Sequence, residues 1–193
     1  MQQVKTAQRH DIDYQCDIRH QIFMAMECLG GDKPLESIGV KDICNEAHIS
    51  RQTFYRYFPN KHAIAEWHMN NLFMAGTYQI GRIFPWYEGH LITISGIART
   101  LDFCNLYLVD DSLAEFGERA HGQNIRETLL AYRGIEVDQK LNLQIDGFVR
   151  AQTFAIQSWV KGDADLTPAE LAETIVTMVP SPLFDLLNDP AFL

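Results

Sequence analysis

The chain has 193 residues, 47% of them hydrophobic, and a formal net charge of −9. This length and apolar content suit a folded protein with a sizeable core. No apolar run approaches the roughly 18 residues that span a bilayer, and the polar N-terminus lacks a signal-peptide pattern. We therefore expect a cytoplasmic protein without a membrane partner.

The four cysteines, Cys16, Cys28, Cys44 and Cys104, lie far apart among apolar neighbours. They form no CxxC pair, and no histidine follows them at a spacing typical of metal ligands. We expect reduced thiols in the core and neither a disulfide framework nor a metal site.

The negative charge is not spread evenly along the chain. Residues 1–65 hold 8 basic and 8 acidic side chains, whereas residues 66–193 hold 8 basic and 17 acidic ones. An acidic chain as a whole argues against nucleic-acid binding, because Lys and Arg drive contact with phosphates. A neutral N-terminal part can still bind DNA if its cations gather on one face.

The first predicted helix covers residues 11–29. Its apolar side chains recur at the spacing of one helix face, and Gly30-Gly31 followed by Pro34 predicts its end. The apolar positions are Ile18, Ile22, Phe23, Met26 and Leu29. We expect this face to pack across the two short helices that follow.

Residues 40–61 read VKDICNEAHISRQTFYRYFPNK and predict a helix-turn-helix. The first short helix has Gly39 as its N-cap and an apolar inner face. That face consists of Ile38, Val40, Ile43, Cys44 and Ala47. After a three-residue turn, Ser50 is a good N-cap for a helix from Arg51 to Tyr57.

Phe54 and Phe58 are four residues apart and should face inward, which leaves a polar outer face on the second helix. Such a face is usually only solvated. This one contains no acidic residue, and it opens the second helix of the pair, where groove readers carry their base contacts. Arg and Gln can bind guanine and adenine edges, Thr can contact a thymine methyl group, and Tyr and Arg can hold phosphates.

The stretch LESIGVKDICNEAHISRQTFYRYFPNKHAI resembles the DNA-binding region of the TetR/AcrR family of bacterial transcriptional regulators. The matching positions are Ile38, Val40, Asp42, Ile43, Ala47, Ser50, Arg51, Thr53, Phe54, Tyr55, Phe58 and Lys61. The resemblance covers about 45 residues. Two positions depart from it, because Gly39 replaces the usual Thr and His48 replaces the glycine usual in the turn.

The resemblance implies that base edges are approached by Arg51, Gln52 and Thr53, and that the DNA backbone is contacted by Tyr55, Arg56 and Lys61. Lys61 also follows Pro59-Asn60 at the start of the next helix, an arrangement suited to holding a phosphate. The full predicted DNA-binding set is Lys41, Ser50, Arg51, Gln52, Thr53, Tyr55, Arg56 and Lys61.

The remaining chain predicts further helices. One continues from Lys61 to about Ile83, and another, apolar on nearly all sides, spans residues 90–109. A short helix over 112–120 is expected to be interrupted at 121–122, and helices over 123–132 and 138–161 follow. No flexible linker precedes these helices, so motion in the second part would reach the DNA-binding head directly.

Thr167-Pro168-Ala169-Glu170 predicts the start of another helix, with a Thr N-cap, a proline at the first position and a Glu that completes a capping box. The segment from Phe148 through this helix also resembles the last two helices of the TetR/AcrR family, which form a four-helix bundle with a second subunit. The resemblance implies a homodimer. The predicted interface residues are Phe148, Gln152, Ile156, Trp159, Leu171, Ile175 and Met178.

The second part is rich in aromatic residues, which for each single position most often means ordinary core. Together with the resemblance, they predict a cavity for an unknown small-molecule effector between the long helix after Lys61 and the helix over 90–109. The predicted ligand-binding residues are Phe73, Trp86, Phe103, Tyr107, Phe116 and Phe154.

No enzyme motif stands out: GxSxG, P-loop, HExxH and GxGxxG patterns are absent from the sequence. His90 and His121 are expected at loops or helix ends, without carboxylates at a suitable spacing. We therefore expect no catalysis, no cofactor and no metal.

The sequence predicts an all-α protein with a three-helix DNA-binding domain over residues 1–62 and a helical effector-binding and dimerisation domain over residues 63–193. The predicted function is a homodimeric, ligand-responsive repressor that binds double-stranded DNA at a pseudo-palindromic operator. One alternative is a TetR-like coactivator that docks on another regulator without reading DNA. The other is an enzyme or ligand carrier that uses only the aromatic cavity.

Overall fold

The computed structural model describes residues 18–31, 33, 37–101, 104 and 111–191, and for 111–114 and 116 it describes the backbone alone. The described residues are helical apart from turns, a short 3₁₀ segment and one isolated bridge between Ile80 and Phe84. The predicted all-α class is confirmed. No helix in these ranges is both long enough and apolar enough to cross a membrane.

The chain divides into two compact units, residues 1–68 and 69–193. The break falls six residues after the boundary predicted from sequence. The division into a DNA-binding domain up to residue 62 and an effector-binding and dimerisation domain after it stays a prediction.

Unit 1 holds helix α1 (18–30), α2 (Val40–Glu46), α3 (Arg51–Tyr57) and the first half of α4 (His62–Ala75). Its buried side chains come from all four helices: Ile22, Phe23, Met26, Ile38, Ile43, Phe54, Phe58 and Ile64. The predicted inner faces of the helix-turn-helix are therefore the ones that pack, with Val40 only partly buried. Gln21 of α1 donates a hydrogen bond to the carbonyl of Ala47 at 2.7 Å, which links α1 to the end of α2.

Helix α4 ends at Ala75, not near Ile83 as the apolar spacing predicted. At Gly76 the backbone approaches α5 closely: a Cβ there would meet the Gly89 carbonyl and lie 2.6 Å from Thr93 Oγ1. The Thr77 amide then donates to Thr93 Oγ1 at 2.9 Å, and a 3₁₀ turn covers Thr77–Gln79. Contacts with α5 therefore end α4, and the spacing of apolar residues along the sequence gives no information about such contacts.

Helix α5 covers Trp86–Arg99, starting four residues earlier than predicted because Pro85 occupies the N-cap position. Residues 101 and 104 are also helical, and the remainder of the helix predicted over 90–109 lies outside the described residues. Phe103 and Tyr107 are therefore not described, and neither is the side chain of Phe116.

Helix α6 runs without a break over Asp111–Arg133, whereas the sequence predicted an interruption at residues 121–122. His121 is 2% exposed, and Gly122 packs beside Arg126 and Asp146. A glycine inside a helix lowers the stability of that helix by only about 1 kcal/mol. Burial of the neighbouring side chains in the core offsets this loss. Gly134 ends the helix at φ 64, as predicted.

Helix α7 covers Gln139–Val160, and α8 covers Pro168–Thr177 with the predicted capping box. Thr167 accepts from the Glu170 amide at 3.3 Å, and Glu170 accepts from the Thr167 amide at 2.8 Å. A last helix, α9 (Ser181–Leu187), was not predicted, and its two buried leucines join the core of unit 2. Helix α5 packs on α8, and α6 packs on α7.

Cys28, Cys44 and Cys104 form no disulfide. Cys44 and Cys104 are buried as predicted, whereas Cys28 is exposed because it lies on the outer face of α1. Cys16 lies outside the described residues.

Candidate nucleic-acid interface and effector region

The turn between α2 and α3 is held by hydrogen bonds at the C-terminus of α2. The amide of His48 donates to the carbonyl of Asn45 at 3.2 Å, and that of Ile49 donates to the carbonyl of Cys44 at 2.9 Å. This is the Schellman arrangement, which needs a left-handed residue after the C-cap. His48 fills that position at φ 51, where glycine is the more common choice.

The N-terminus of α2 is capped without a Thr. Gly39 has no side chain to accept a hydrogen bond, but its amide donates to Oδ2 of Asp42 at 3.0 Å. This reciprocal half of a capping box also places a carboxylate in the first turn, where the helix dipole stabilises it. The start of α2 therefore stays defined despite the missing Thr.

Helix α3 begins at Ser50, whose Oγ accepts from the amide of Thr53 at 3.0 Å and contacts Oγ1 of Thr53 at 2.9 Å. The hydroxyl groups of Ser50 and Thr53 thereby stabilise the first turn of the helix. Inward-facing Phe54 is fully buried, and its ring lies 6.3 Å from that of Phe58. These contacts fix the rotation of α3 about its axis, and that rotation decides which residues face outward.

The outer face of α3 is cationic and polar. Arg51, Gln52 and Arg56 are exposed, and Tyr55 is 50% exposed. Within the described ranges no carboxylate lies at salt-bridge distance from Arg51 or Arg56. We refer to Arg51, Gln52, Tyr55 and Arg56 as the α3 face.

The charge of Arg51 reaches the end of α2. Burial raises the pKa of the Cys44 thiol, and the guanidinium of Arg51 partly opposes this increase. The charge of Arg51 therefore acts on the end of α2 as well as on α3.

The two predicted lysines lie apart from this face. Lys41 is exposed in the first turn of α2. Lys61 is partly buried, and its Nζ donates to the carbonyl of Ile38 at 2.9 Å, so it ties the start of α4 to the residue pair before α2. Next to it, Asn60 Oδ1 accepts from the amide of Ala63 at 3.0 Å and caps α4.

Three of the six predicted effector residues, Phe73, Trp86 and Phe154, have described side chains. Trp86 is fully buried, and its ring lies 5.3 Å from Phe148. Phe73 is partly buried and lies 6.4 Å from the ring of His121. Phe154, by contrast, is 69% exposed on α7 and does not line the interior of unit 2.

Sequence reasoning missed the polar side chains of this interior. His90, His121 and Gln152 are at most 2% exposed, whereas both histidines were expected at loops or helix ends. Gln152 had been assigned to the dimer interface. The only available signal was the spacing of His90, four residues after Trp86 on one face of α5.

A surface cleft of about 480 Å³ lies between α6 and α7. Its lining residues are Glu118, Arg119, Gln123, Arg126, Asp146, Val149 and Arg150. Arg126 donates to Asp146 at 2.5 Å and to Asn142 at 2.7 Å, which pins the two helices together. The cleft is charged, so it differs in character from the aromatic cavity predicted from sequence.

Most of the predicted dimer residues are buried within unit 2 itself. Phe148, Gln152, Ile156, Leu171 and Ile175 are at most 4% exposed. These side chains pack in the core of unit 2, and their place in a dimer interface stays a prediction. Trp159 is partly buried and donates to the Leu166 carbonyl at 2.7 Å, and Met178 is 38% exposed.

The opposite face of α7 carries exposed apolar side chains. Leu143 is 73% exposed and Phe154 is 69% exposed, and Gly147 and Arg150 lie between them at helical spacing. We refer to Leu143, Gly147, Arg150 and Phe154 as the outer α7 stripe.

Residues 25–66 match the model of a family described as bacterial regulatory proteins of the tetR family. This match covers the whole helix-turn-helix and the start of α4. It confirms, for this segment, the resemblance found in the sequence. The chain matches no curated protein.

Solved structures share the fold along most of the chain. The dihydroxyacetone kinase operon activator DhaS has a TM-score of 0.64 and 18% identity, and the match covers 89% of this chain and 98% of that one. A TetR transcriptional regulator from Rhodococcus sp. RHA1 has a TM-score of 0.56 and 18% identity, with 84% and 96% covered.

The TetR family repressor AlkX from Dietzia sp. strain DQ12-45-1b, implicated in biodegradation of n-alkanes, has a TM-score of 0.55 and 16% identity, with 86% of this chain and 98% of that one covered. At such identities the likeness shows that the fold is shared and does not by itself assign a role.

Proposed function

We propose that this chain, a TetR-family DNA-binding segment on a TetR-type helical fold, is a homodimeric, ligand-responsive transcriptional repressor acting in the cytoplasm. The observation that carries the proposal is the α3 face, which presents two arginines, a glutamine and a tyrosine with no carboxylate at salt-bridge distance in the described part of the chain. An exposed cationic face on the second helix of a helix-turn-helix suits the major groove of DNA.

Within the α3 face, the first turn would approach base edges. Arg51 can donate two hydrogen bonds to guanine, and Gln52 can pair with adenine. Thr53 is less available because its hydroxyl contacts Ser50. Its methyl group can still touch a thymine methyl.

Phosphate contacts would come from the rim of the site. Tyr55 and Arg56 lie one helical turn after Arg51 and Gln52 on the α3 face, and Lys41 lies at the start of α2. Lys61, whose Nζ donates to the carbonyl of Ile38, is the remaining predicted phosphate contact. Such contacts set the register of the protein on DNA without reading sequence.

Two copies of α3 would enter successive major grooves about 34 Å apart, which matches a pseudo-palindromic operator. The outer α7 stripe supports a dimer face different from the one inferred from sequence, because it exposes the large apolar groups that the monomer leaves uncovered. The four-helix arrangement implied by the resemblance would be kept, with α7 rotated to present Leu143 and Phe154.

Selection of genomic DNA fragments on the purified protein tests the DNA-binding function. We expect enrichment of a defined site and loss of binding for Arg51→Ala, while Arg119→Ala, which removes the same charge from an exposed position in unit 2, keeps it. If no sequence is enriched and Arg51→Ala binds DNA as the wild type does, the protein-docking alternative takes precedence.

Whether binding represses or activates transcription is a separate question. The structural neighbours include proteins titled as an operon activator and as a repressor, so the shared fold is compatible with both. A reporter gene placed behind the selected site decides between them: repression predicts a rise in reporter signal when the chain is deleted, and activation predicts a fall.

An effector would act by favouring one conformation of unit 2 over another. A coupling free energy of about 1 to 3 kcal/mol is enough to change operator affinity by roughly 5- to 150-fold. The effector must therefore bind one conformation of unit 2 more tightly than the other by at least the same factor.

A further inference from the structure

The surface cleft between α6 and α7 gathers positive charge on an otherwise acidic part of the chain. Three arginines and two carboxylates line it, a formal charge of +1, whereas residues 66–193 hold 8 basic and 17 acidic side chains. The charged lining residues are Arg119, Arg126, Arg150, Glu118 and Asp146. We refer to this place as the α6–α7 cleft.

The lining of the α6–α7 cleft suits a small polar molecule. Its volume of about 480 Å³ is large enough for such a ligand. Val149 is the one apolar residue among the seven that line it. An apolar ligand would therefore find little to pack against, and a ligand with charged or polar groups would find several partners.

Arg126 presents a guanidinium whose position is fixed. Its Nε donates to Oδ1 of Asn142 at 2.7 Å, its Nη2 donates to Oδ1 of Asp146 at 2.5 Å, and its side chain is 25% exposed. A guanidinium has five N–H donors, and in the described part of the chain Nη1 makes no hydrogen bond. The donors of Nη1 are thus left for a ligand.

The space for this guanidinium depends on Gly122. A Cβ at residue 122 would lie 2.7 Å from Nη1 of Arg126, so the guanidinium lies where a side chain at that position would be. A glycine inside a helix lowers its stability by about 1 kcal/mol relative to alanine. At Gly117 of the same helix, by contrast, a Cβ would meet nothing within 4 Å. Gly122 therefore has a positional role that Gly117 lacks.

Arg150 supplies a second guanidinium from α7. Its side chain is 75% exposed, and its Nε lies 3.9 Å from Oε2 of Glu118, which is longer than a hydrogen bond. Exposed ion pairs of this kind contribute at most about 1 kcal/mol, so a bound anion can compete with Glu118 for Arg150. Arg119 has a carboxylate of its own, since its Nη1 lies 3.4 Å from Glu115.

Two guanidinium groups from different helices favour a ligand with an oxyanion. Carboxylate and phosphate oxygens accept paired N–H bonds in the planar geometry that arginine presents. Asp146 opposes such a ligand least, because it already accepts from Arg126. A cationic ligand would instead meet the excess of arginines.

We propose that the α6–α7 cleft binds a small molecule through a carboxylate or phosphate group, with Arg126 Nη1 and Arg150 as donors and Gly122 as the residue that makes room for Arg126. Its role as the effector rests on the regulator function proposed above, whereas the binding itself does not. Arg150 also belongs to the outer α7 stripe, so the ligand would lie beside the proposed dimer face.

Calorimetric titration of the full chain, without DNA and at constant ionic strength, tests the cleft with inorganic phosphate and with succinate. Succinamide is the matched control, because it has the shape of succinate without its charge. We expect phosphate, succinate or both to bind at least about tenfold more tightly than succinamide. The tighter of the two anions identifies the group that the cleft prefers.

The variant Arg150→Gln removes one donor from an exposed position, where the fold does not depend on it. We expect its affinity for the tighter anion to fall about tenfold, since a charge-assisted hydrogen bond is lost. Lys161→Gln removes the same charge from the exposed end of the same helix, about 16 Å away along its axis. It should leave the affinity unchanged.

The variant Gly122→Ala tests the geometry without changing any charge. Its Cβ would displace the guanidinium of Arg126, so we expect the affinity for the anion to fall about tenfold while Gly117→Ala retains it. Circular dichroism checks that both variants are folded. Attraction by surface charge alone would be the same in the two variants.

The proposal is overturned if neither anion binds more tightly than succinamide, if Arg150→Gln weakens binding no more than Lys161→Gln, or if Gly122→Ala keeps full affinity. These results concern unit 2 alone. Failure of the DNA selection would refute the regulator function and leave the result on the cleft standing, so the two failures can be told apart.

Discussion

His48 has a backbone conformation that most side chains avoid. At φ 51 its Cβ crowds the following carbonyl, and this strain amounts to about 1 to 2 kcal/mol for an ordinary residue. Histidine is among the residues that tolerate the left-handed region better, which is why the turn forms without the usual glycine.

We expect His48→Gly to raise the free energy of unfolding by about 0.5 to 1 kcal/mol, since relief of strain exceeds the added entropy of the unfolded chain. His48→Val should lower it, because a β-branched residue tolerates this conformation poorly. Urea unfolding followed by circular dichroism measures both. A stabilised His48→Val would show that the turn is not strained.

The buried histidines make stability depend on pH. Unfolding exposes His121, which then takes up a proton below its ordinary pKa of about 6.5, whereas in the folded state its pKa is about 3. The unfolded state thus binds more protons below pH 6.5 or so, and the free energy of unfolding falls there by up to about 1.4 kcal/mol per pH unit. The lowered pKa of His90 adds in the same direction.

Urea midpoints measured between about pH 7 and pH 4 test this dependence. We expect His121→Leu to flatten the slope and the exposed-site variant His62→Ala to retain it. An identical slope in wild type and His121→Leu would contradict the assigned burial of a neutral imidazole.

At the scale of single elements, α2, α3 and α8 were predictable because their signals are local. Ser50 and Thr167 cap their helices through hydrogen bonds to residues only three positions away. Phe54 and Phe58 define an inner face by spacing alone. Such signals need no knowledge of the rest of the fold.

The elements that sequence reasoning misplaced depend on distant contacts. Helix α4 stops at Gly76 because α5 lies against it, and α6 continues through His121-Gly122 because that segment is packed. Likewise, an apolar stripe shows that one face of α7 is buried but does not tell whether the partner is the same chain or another. Five predicted dimer residues are buried in the core of this chain, and their place in a dimer interface stays a prediction.

The close approach of the Gly76 backbone to α5 can be tested by substitution. Gly76→Ala should lower the free energy of unfolding by about 1 to 3 kcal/mol, because a Cβ would meet the Gly89 carbonyl and Thr93. Gly117→Ala is the control, since a Cβ there meets nothing within 4 Å and alanine is the better helix former. Equal effects of the two variants would contradict the packing at Gly76.

At the scale of the whole molecule, the acidic charge belongs to residues 66–193 and the cationic face to α3. A protein with this division can bind phosphates with one part while the other repels them. The division was visible in the sequence, because it needs only a count of charges. The buried group of His90, His121 and Gln152 was not visible, because its members come from three helices.

The dimer proposed above depends on the outer α7 stripe. We expect Phe154→Lys to shift the molar mass in solution from dimer to monomer, because it places a charge in an apolar contact. Ile83→Lys, which changes another half-exposed apolar residue of unit 2, should leave the dimer intact. Multi-angle light scattering measures the molar mass of both variants. If Phe154→Lys remained a dimer, the outer α7 stripe would not be the interface.

The central claim is that α3 reads base edges. Its most direct test compares the affinities of wild type and Gln52→Ala for a selected operator and for every single-base variant of that operator. We expect the variant to lose discrimination, by about 1 to 3 kcal/mol, at one position in each half-site and to keep it elsewhere. A uniform loss at all positions, or no loss, would contradict base reading by the α3 face.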